Sequence, residues 1–377
     1  MTRARGRDAA RGREAARRRE ADRPELFFDR FRSALARLPA GLIRAMPPAA
    51  SADLERAAAA RAGALPEAYA SFLRSFDGAD LFHEAVLLAG VGPAAPVALL
   101  DLPPDRPGEL VFAIAADGDR YALDAEGRVR RYGSGADERA LAGSSFAAWL
   151  DATVAREQLL YGPDGEYAPE AFDPSGEEIA PLVALRQAER ALKVDPGAAD
   201  AEHARGLALS RLGRLEKAVE ALTAATALDP ENPWPWFDLG RAALDGGRGA
   251  EAASAFDRAA ACETGAAAAR LLAWAARAAQ AAGESGRAST LRARALTQDG
   301  GLPEALRRAL DAAAADEDPE AYAEAAALLE AIVTDAPAPR LRLAVVSGPA
   351  APPPPPARPP RPRPAAPPRS GGSRRGS

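Results

Sequence analysis

Gly206 and Gly240 stand 34 residues apart, as do Gly213 and Gly247, Ala218 and Ala252, Leu222 and Phe256, Ala225 and Ala259, and Pro196 and Pro230. An echo at that interval, with small, bulky and proline positions always in the same order, marks a repeated helix–turn–helix unit. One such helix pair cannot bury its own apolar face and has to stack on a neighbour. Stacking leaves an extended concave surface, which arrays of this kind use for binding. The period therefore sets an architecture for the second half of the chain. It leaves the ligand unnamed.

The 377 residues give room for two or three domains. Cys262 is the single cysteine, which excludes an internal disulfide framework and a cysteine-type zinc cluster. Lysine is confined to Lys193 and Lys217, with arginine carrying nearly all the positive charge. No apolar run reaches the length of a membrane-spanning helix. The basic N-terminus also lacks the apolar stretch of a signal peptide, so the expectation is a cytoplasmic protein with no membrane partner. The net charge of −5 divides unevenly: +5 over residues 1–23 and +8 over 336–377 leave −18 for 24–335. Two basic arms on an acidic body suggest nucleic acid at first, but the arms lack the aromatic side chains that stack on bases. They are expected as solvated, disordered tails: 1–23 a basic arm, 335–377 rich in proline and arginine, where proline density leaves only polyproline II or disorder.

Between the arms the texture changes twice. Pro24 opens a helix, PELFFDRFRSALARL, with Phe27, Phe31 and Leu35 in one row. A second helix is expected over 51–62 from the N-cap Ser51, and a third over 65–78, with Leu65, Tyr69, Phe72, Leu73 and Phe76 on one face. Strands are expected at 84–90, 97–101, 109–115, 119–124 and 127–132, with Asp117–Gly118 and Glu126–Gly127 as turns. A closing helix follows at 145–158. Helices, several strands and a closing helix predict an α+β domain over 24–160. Residues 161–180, acidic and rich in turn formers, predict a linker to helical repeats over 181–334.

The segment LPEAYASFLRSFDG resembles the signature of the SUKH superfamily of Smi/Knr-type domains, an LP-x-x-Y/F-x-x-F/L helix ending in a glycine turn. Later stretches resemble that family in order: the buried strand ELVFAIA, DRYALD after an acidic glycine turn, GRVRRY, and the final helix SFAAWL. The resemblance implies a sheet with helices, and a role in binding other proteins. Bacterial relatives are often immunity proteins that neutralise a toxin domain. The repeats at about 199–232 and 233–266 are similar to the tetratricopeptide (TPR) family. An incomplete unit precedes them (Ala184, Ala191, Pro196), and a degenerate one follows to about 298, in register if two residues are inserted near Gly265. A further helix pair, about 302–315 and 319–333, is expected to cap the stack. The expected fold class is thus an α+β, SUKH-like domain followed by an all-α, TPR-like repeat domain.

Residues for chemistry are thin. His83 and His203, the two histidines, lie in different segments, and Cys262 has no histidine near it in sequence. Asp117, Asp119 and Asp124 have part of a calcium-loop spacing, but Tyr121 stands where a further acid is needed, and hairpin turns explain them better. The glycines at 246, 247 and 249 lie between helices, so they are not a dinucleotide fingerprint. No enzyme, cofactor or metal is expected. The expected function is a protein-binding scaffold of bacterial regulatory type, with an immunity protein as the alternative and an unrecognised enzyme as the second. Candidate anchors are Trp234 and Arg241 on the repeats and Tyr132 on the strands, since tight interfaces rest on a few aromatic and arginine side chains. The partner is a protein, with a toxin domain or a basic protein suiting the acidic body.

Overall fold

The computed structural model describes residues 31–333, apart from 62–64, 105, 134–138, 175 and 177. The arms at 1–23 and 335–377, and residues 24–30 of the helix expected to open at Pro24, lie outside the described residues.

Seven antiparallel strands form one sheet in strict chain order. They are β1 (Ile43–Ala45), β2 (Ala79–Leu81), β3 (Val86–Leu88), β4 (Leu110–Ala115), β5 (Arg120–Leu123), β6 (Val129–Tyr132) and β7 (Arg139–Gly143). Helices α1 (Ser51–Ala60) and α2 (Glu67–Leu73) lie between β1 and β2, and α3 (Phe146–Glu157) follows β7. The core is aromatic. Tyr69 and Phe72 from α2 meet Phe112 of β4 and Phe146 of α3, with ring centres 5.2 to 5.8 Å apart. Trp149 closes the cluster edge-on to Phe112. The Tyr69 hydroxyl, fully buried, donates to the carbonyl oxygen of Ala89, so the motif that recurs in LPEAYASFL ties helix to sheet. In β4, Leu110, Val111, Phe112 and Ala113 are all buried, as a strand covered on both faces requires.

Three strands escaped the sequence reading, and one expected strand is absent. Strands β1, β2 and β7 are short or rich in alanine and glycine, so they carry little intrinsic β preference and are held by pairing. Residues 97–101 form no strand. They make one parallel bridge, Gly90 with Ala98, then a 3-10 turn at Leu99–Asp101. Leu99 and Leu102 are buried while Leu100 is exposed, so the apolar period here is three and not two. The loop is pinned from below, because Val91 and Gly92 donate backbone N–H groups to the Asp77 carboxylate at 2.6 and 2.8 Å. The aspartates at 117 and 124 accept from backbone N–H groups two residues on, as turn residues do.

Helical hairpins follow: α4 (Pro181–Val194) alone, then α5 (Ala199–Arg211) with α6 (Leu215–Leu228), α7 (Pro233–Asp245) with α8 (Gly249–Ala261), α9 (Gly265–Ala281) with α10 (Ser285–Gln298), and α11 (Leu302–Ala315) with α12 (Pro319–Ile332). Gly213, Gly247 and Gly283 sit at the same point of three successive turns with φ of 69°, 73° and 76°, which a residue with a Cβ adopts only under strain. Within the hairpins, a Cβ on Gly206 would lie 2.5 Å from Leu222 Cγ, and one on Gly240 would lie 2.6 Å from Phe256 Cε1. Glycine and bulky residue recur together because each repeat brings its two helices to the same close approach. The last pair departs from this order. Helix α12, not α11, lies along α9 and α10, with Arg270 of α9 3.2 Å from Glu324 of α12.

The sheet and the repeats are joined through buried charge. Asp195 and Asp229, again 34 residues apart, each precede a proline and each meet the end of the sheet. Asp195 accepts the backbone N–H of Ser144 at 2.7 Å, and Asp229 accepts that of Leu141 on edge strand β7 at 2.8 Å. The other oxygen of Asp229 lies 3.2 Å from the Arg130 guanidinium of β6, which also reaches Asp124 at 3.3 Å. Burial pushes the Asp124 carboxyl up, yet hydrogen bonds from Arg128 and Arg130 outweigh it and hold the carboxyl below its ordinary range. Helix α3 completes the joint. It packs against α4, with Ala152 in one cluster with Ala191 of α4 and with Ala198 and Ala201 at the start of α5, so the closing helix of the sheet module supplies the partner that the incomplete first repeat lacks. The acidic segment between α3 and α4 is itself built, with Tyr161 stacked on Tyr167 at 4.7 Å and Phe172 edge-on to Tyr167 at 5.5 Å.

Two outcomes follow. Gly240→Leu forces apart α7 and α8 and should cost about 1–3 kcal/mol, read as a lower midpoint in thermal circular dichroism; an unchanged midpoint would refute the close approach. Asp229→Ala leaves the Leu141 N–H without its acceptor and the Arg130 guanidinium with Asp124 alone, at a cost of about 1–3 kcal/mol in chemical denaturation. Hydrogen exchange at the Leu141 amide should quicken at the same time, and a variant as stable as the parent would disprove the joint.

Candidate functional site

The first helices of successive hairpins stand side by side and share one face. His203 Nε2 on α5 is 2.6 Å from Asp238 Oδ2 on α7, and the Arg241 guanidinium on α7 lies 5.4 Å from the centre of the Trp274 ring on α9. Helical spacing places further residues beside these: Leu207 follows His203 by four, Trp234 precedes Asp238 by four, and Arg277 follows Trp274 by three. Leu207 and Trp234 are 40% and 46% exposed, large apolar side chains left in solvent on neighbouring helices. Trp236 turns inward by contrast, its indole N–H donating to the Pro230 carbonyl oxygen at 3.1 Å.

Trp274 is the fixed point of this face. It is only 4% exposed, stacked on Phe256 at 5.4 Å and met edge-on by Phe237 at 5.9 Å. Two guanidinium groups lie over it, that of Arg277 at 5.0 Å and that of Arg241 at 5.4 Å. Neither has a carboxylate partner among the described residues. The nearby acids are engaged: Asp238 with His203, Glu202 with Arg205 at 3.0 Å, and Glu324 with Arg270. Withdrawal from water raises the Glu202 carboxyl pKa, and Arg205 opposes the rise. The face thus offers exposed apolar groups beside two unneutralised cations.

Of the anchors expected from sequence, Trp234 and Arg241 stand on this face. Tyr132 does not. It is 8% exposed, and its hydroxyl donates to Glu109 Oε2 at 2.5 Å. Burial first, then the bond to Glu109, pushes its pKa up to about 12. A tyrosine on the last paired register of β6, opposite Arg139, is a core position that strand alternation alone did not separate from a surface one. Trp274 and Arg277 went unnoticed because Arg277 follows Arg241 by 36 residues rather than 34, the shift of the insertion near Gly265.

Groups with catalytic potential stay apart. His83 is exposed at the tip between β2 and β3, where Phe82, His83 and Glu84 all take positive φ. That strained turn is braced by the Glu84 N–H donating to Asp80 at 2.7 Å and by the Tyr161 hydroxyl donating to the Phe82 carbonyl oxygen at 3.0 Å. Burial pushes the Cys262 thiol up, and no histidine adjoins it. Among the described residues no three or more His, Cys, Asp or Glu side chains converge as metal ligands, and no helix is long and apolar enough to cross a membrane.

Comparison with known proteins agrees with the geometry of the second half. Tetratricopeptide repeat models match residues 181–233 and 209–275. No Smi/Knr-type domain was matched in the first half, and no curated protein matches the chain. Among solved structures, one of MamA is 21% identical over 32% of this chain and 65% of its own length, with a TM-score of 0.30. YrrB, described as a TPR protein with an unusual peptide-binding site, is 20% identical over 41% of this chain and 79% of its own, also with a TM-score of 0.30. Pseudomonas aeruginosa pilF is 19% identical over 50% and 75%, with a TM-score of 0.29. The chain thus spans just under two thirds of that MamA structure. An antiparallel sheet with helices is followed here by a run of tetratricopeptide repeats.

Proposed function

We propose that the protein is a non-enzymatic scaffold of bacterial regulatory type, acting in the cytoplasm, that holds a polypeptide segment of a partner across helices α5, α7 and α9. The observation that carries this reading is the shared face itself. Leu207 and Trp234 are exposed, Arg241 has no carboxylate partner among the described residues, and all stand on helices fixed by repeat packing. Large apolar groups in solvent beside arginine have the composition of interface anchors. The scattered placement of His83, His203 and Cys262 favours binding over catalysis. The module at 24–160, joined rigidly to the repeats through Asp229 and Asp195, would present a second surface at constant spacing. The immunity alternative, with a toxin domain as partner, rests on the resemblance carried by LPEAYASFLRSFDG and the stretches ELVFAIA, DRYALD, GRVRRY and SFAAWL. A partner that is basic overall suits the −18 body, approaching faster at low salt.

The test is affinity capture from the native cell with the full chain, alongside Trp234→Ala and Arg241→Ala in the same chain. A specific partner should be recovered by the parent and depleted about tenfold or more by either variant, as loss of an anchor requires. A partner retained equally by all three would move the site off this face. Turnover of a substrate by the purified chain would overturn the reading.

A further inference from the structure

We propose that Arg241 and Arg277, seated on Trp274, form a subsite for an acidic segment of the partner, taking two Asp or Glu side chains that lie beside an apolar residue. This rests on the groove reading above and names its ligand. An aromatic face attracts a guanidinium but does not neutralise it. Neither guanidinium meets a carboxylate among the described residues, and its planar N–H fork matches an arriving carboxylate in bidentate fashion. Two like charges over one indole repel each other, and arriving carboxylates relieve that repulsion. Among the described residues no acid does so, since Asp238 meets His203, Glu202 meets Arg205 and Glu324 meets Arg270.

The platform is also fixed before any ligand arrives. Trp274 is wedged between Phe256 and Phe237, and Arg241 additionally lies 6.0 Å from the Phe237 ring. Little ordering is left to do on binding, which favours affinity. Trp234 stands edge-on to the same Phe237 at 6.3 Å and is open to solvent, so an apolar side chain next to the acids meets an indole within the same cluster. Two separate guanidinium groups call for two carboxylates, which an α-carboxylate alone does not supply. The ligand is an acidic segment whose two side chains meet the two guanidinium groups. A partner that is basic overall and carries such a segment satisfies both the field of the body and the chemistry of the subsite.

The experiment uses the full chain and fluorescein-labelled short peptides of random order in three compositions: Asp and Glu with Leu, Phe and Gly; Lys and Arg with the same; Ser and Gln with the same. Binding is read by fluorescence anisotropy. The acidic set should bind best, and Arg241→Gln or Arg277→Gln should weaken it about tenfold or more, the loss of one charge-assisted contact. Trp234→Ala should weaken it too, while amidating the peptide C-terminus should change nothing. The double reversal R241E with R277E should shift preference to the basic set, a gain that a misfolded variant cannot produce. If all three sets bind alike and only Trp234→Ala matters, the acidic assignment fails and the groove reading stands. If amidation abolishes binding, a chain terminus is the ligand and the assignment is overturned. If no set binds, or binding ignores Trp234→Ala and the arginine variants alike, both readings fall.

Discussion

The Asp229 carboxylate is the contact on which the arrangement of the two modules depends. One oxygen accepts the Leu141 N–H from the edge strand and the other faces the buried Arg130 guanidinium. An exposed sheet edge offers unpaired N–H groups to any passing strand. Here repeat-derived aspartates occupy those groups, so the edge is covered by the stack and not by another strand. Arg130, only 6% exposed, would be costly without its two carboxylates, and the second of them comes from the repeats. Each module therefore satisfies a buried polar group of the other. Separating them would leave Asp229 without its guanidinium and Arg130 with Asp124 alone.

That dependence grows out of the repeat itself. The Asp–Pro step before the first two hairpins recurs at Asp195 and Asp229, and the stack presents the two carboxylates at a spacing that meets Ser144 and Leu141. Helix α3 then takes the place of a missing repeat helix beside α4. The junction is thus a continuation of repeat stacking into the sheet module. Sequence reading placed a linker at 161–180 from its acids and turn residues, but Tyr161, Tyr167 and Phe172 bring their own small aromatic cluster to that segment.

What was legible in the sequence was whatever repeats or alternates strongly. Gly206 with Leu222 and Gly240 with Phe256 announced the hairpins, because one steric requirement imposed the same pair twice. The aromatic face of Tyr69, Phe72 and Phe76 announced α2 and its burial. Strand β7 did not show itself, since alanine and glycine in RALAG prefer no strand and its pairing is decided by β6 and by Asp229. The reversed seating of α11 and α12 was equally hidden. Both helices are amphipathic, and which of them meets α9 depends on tertiary fit. At the candidate site, Trp234 and Arg241 could be picked out by residue type, while Tyr132 could not be told from a core residue without its buried partner Glu109.

The proposed binding face inherits its character from these same constraints. Close packing at Gly240 pulls Phe256 against α7, and Phe256 in turn stacks on Trp274. Trp274 carries the two arginines, so a steric requirement inside one hairpin fixes the charge presented on the next. A guanidinium held on an immobile ring loses less freedom on binding than one on a solvated stem. The sheet module is joined to the first hairpins through Asp195 and Asp229. Rigidity gained through buried aspartates at the joint and rigidity gained through aromatic stacking in the groove thus serve one end: the cost of arranging the surface is met in folding, before a partner arrives.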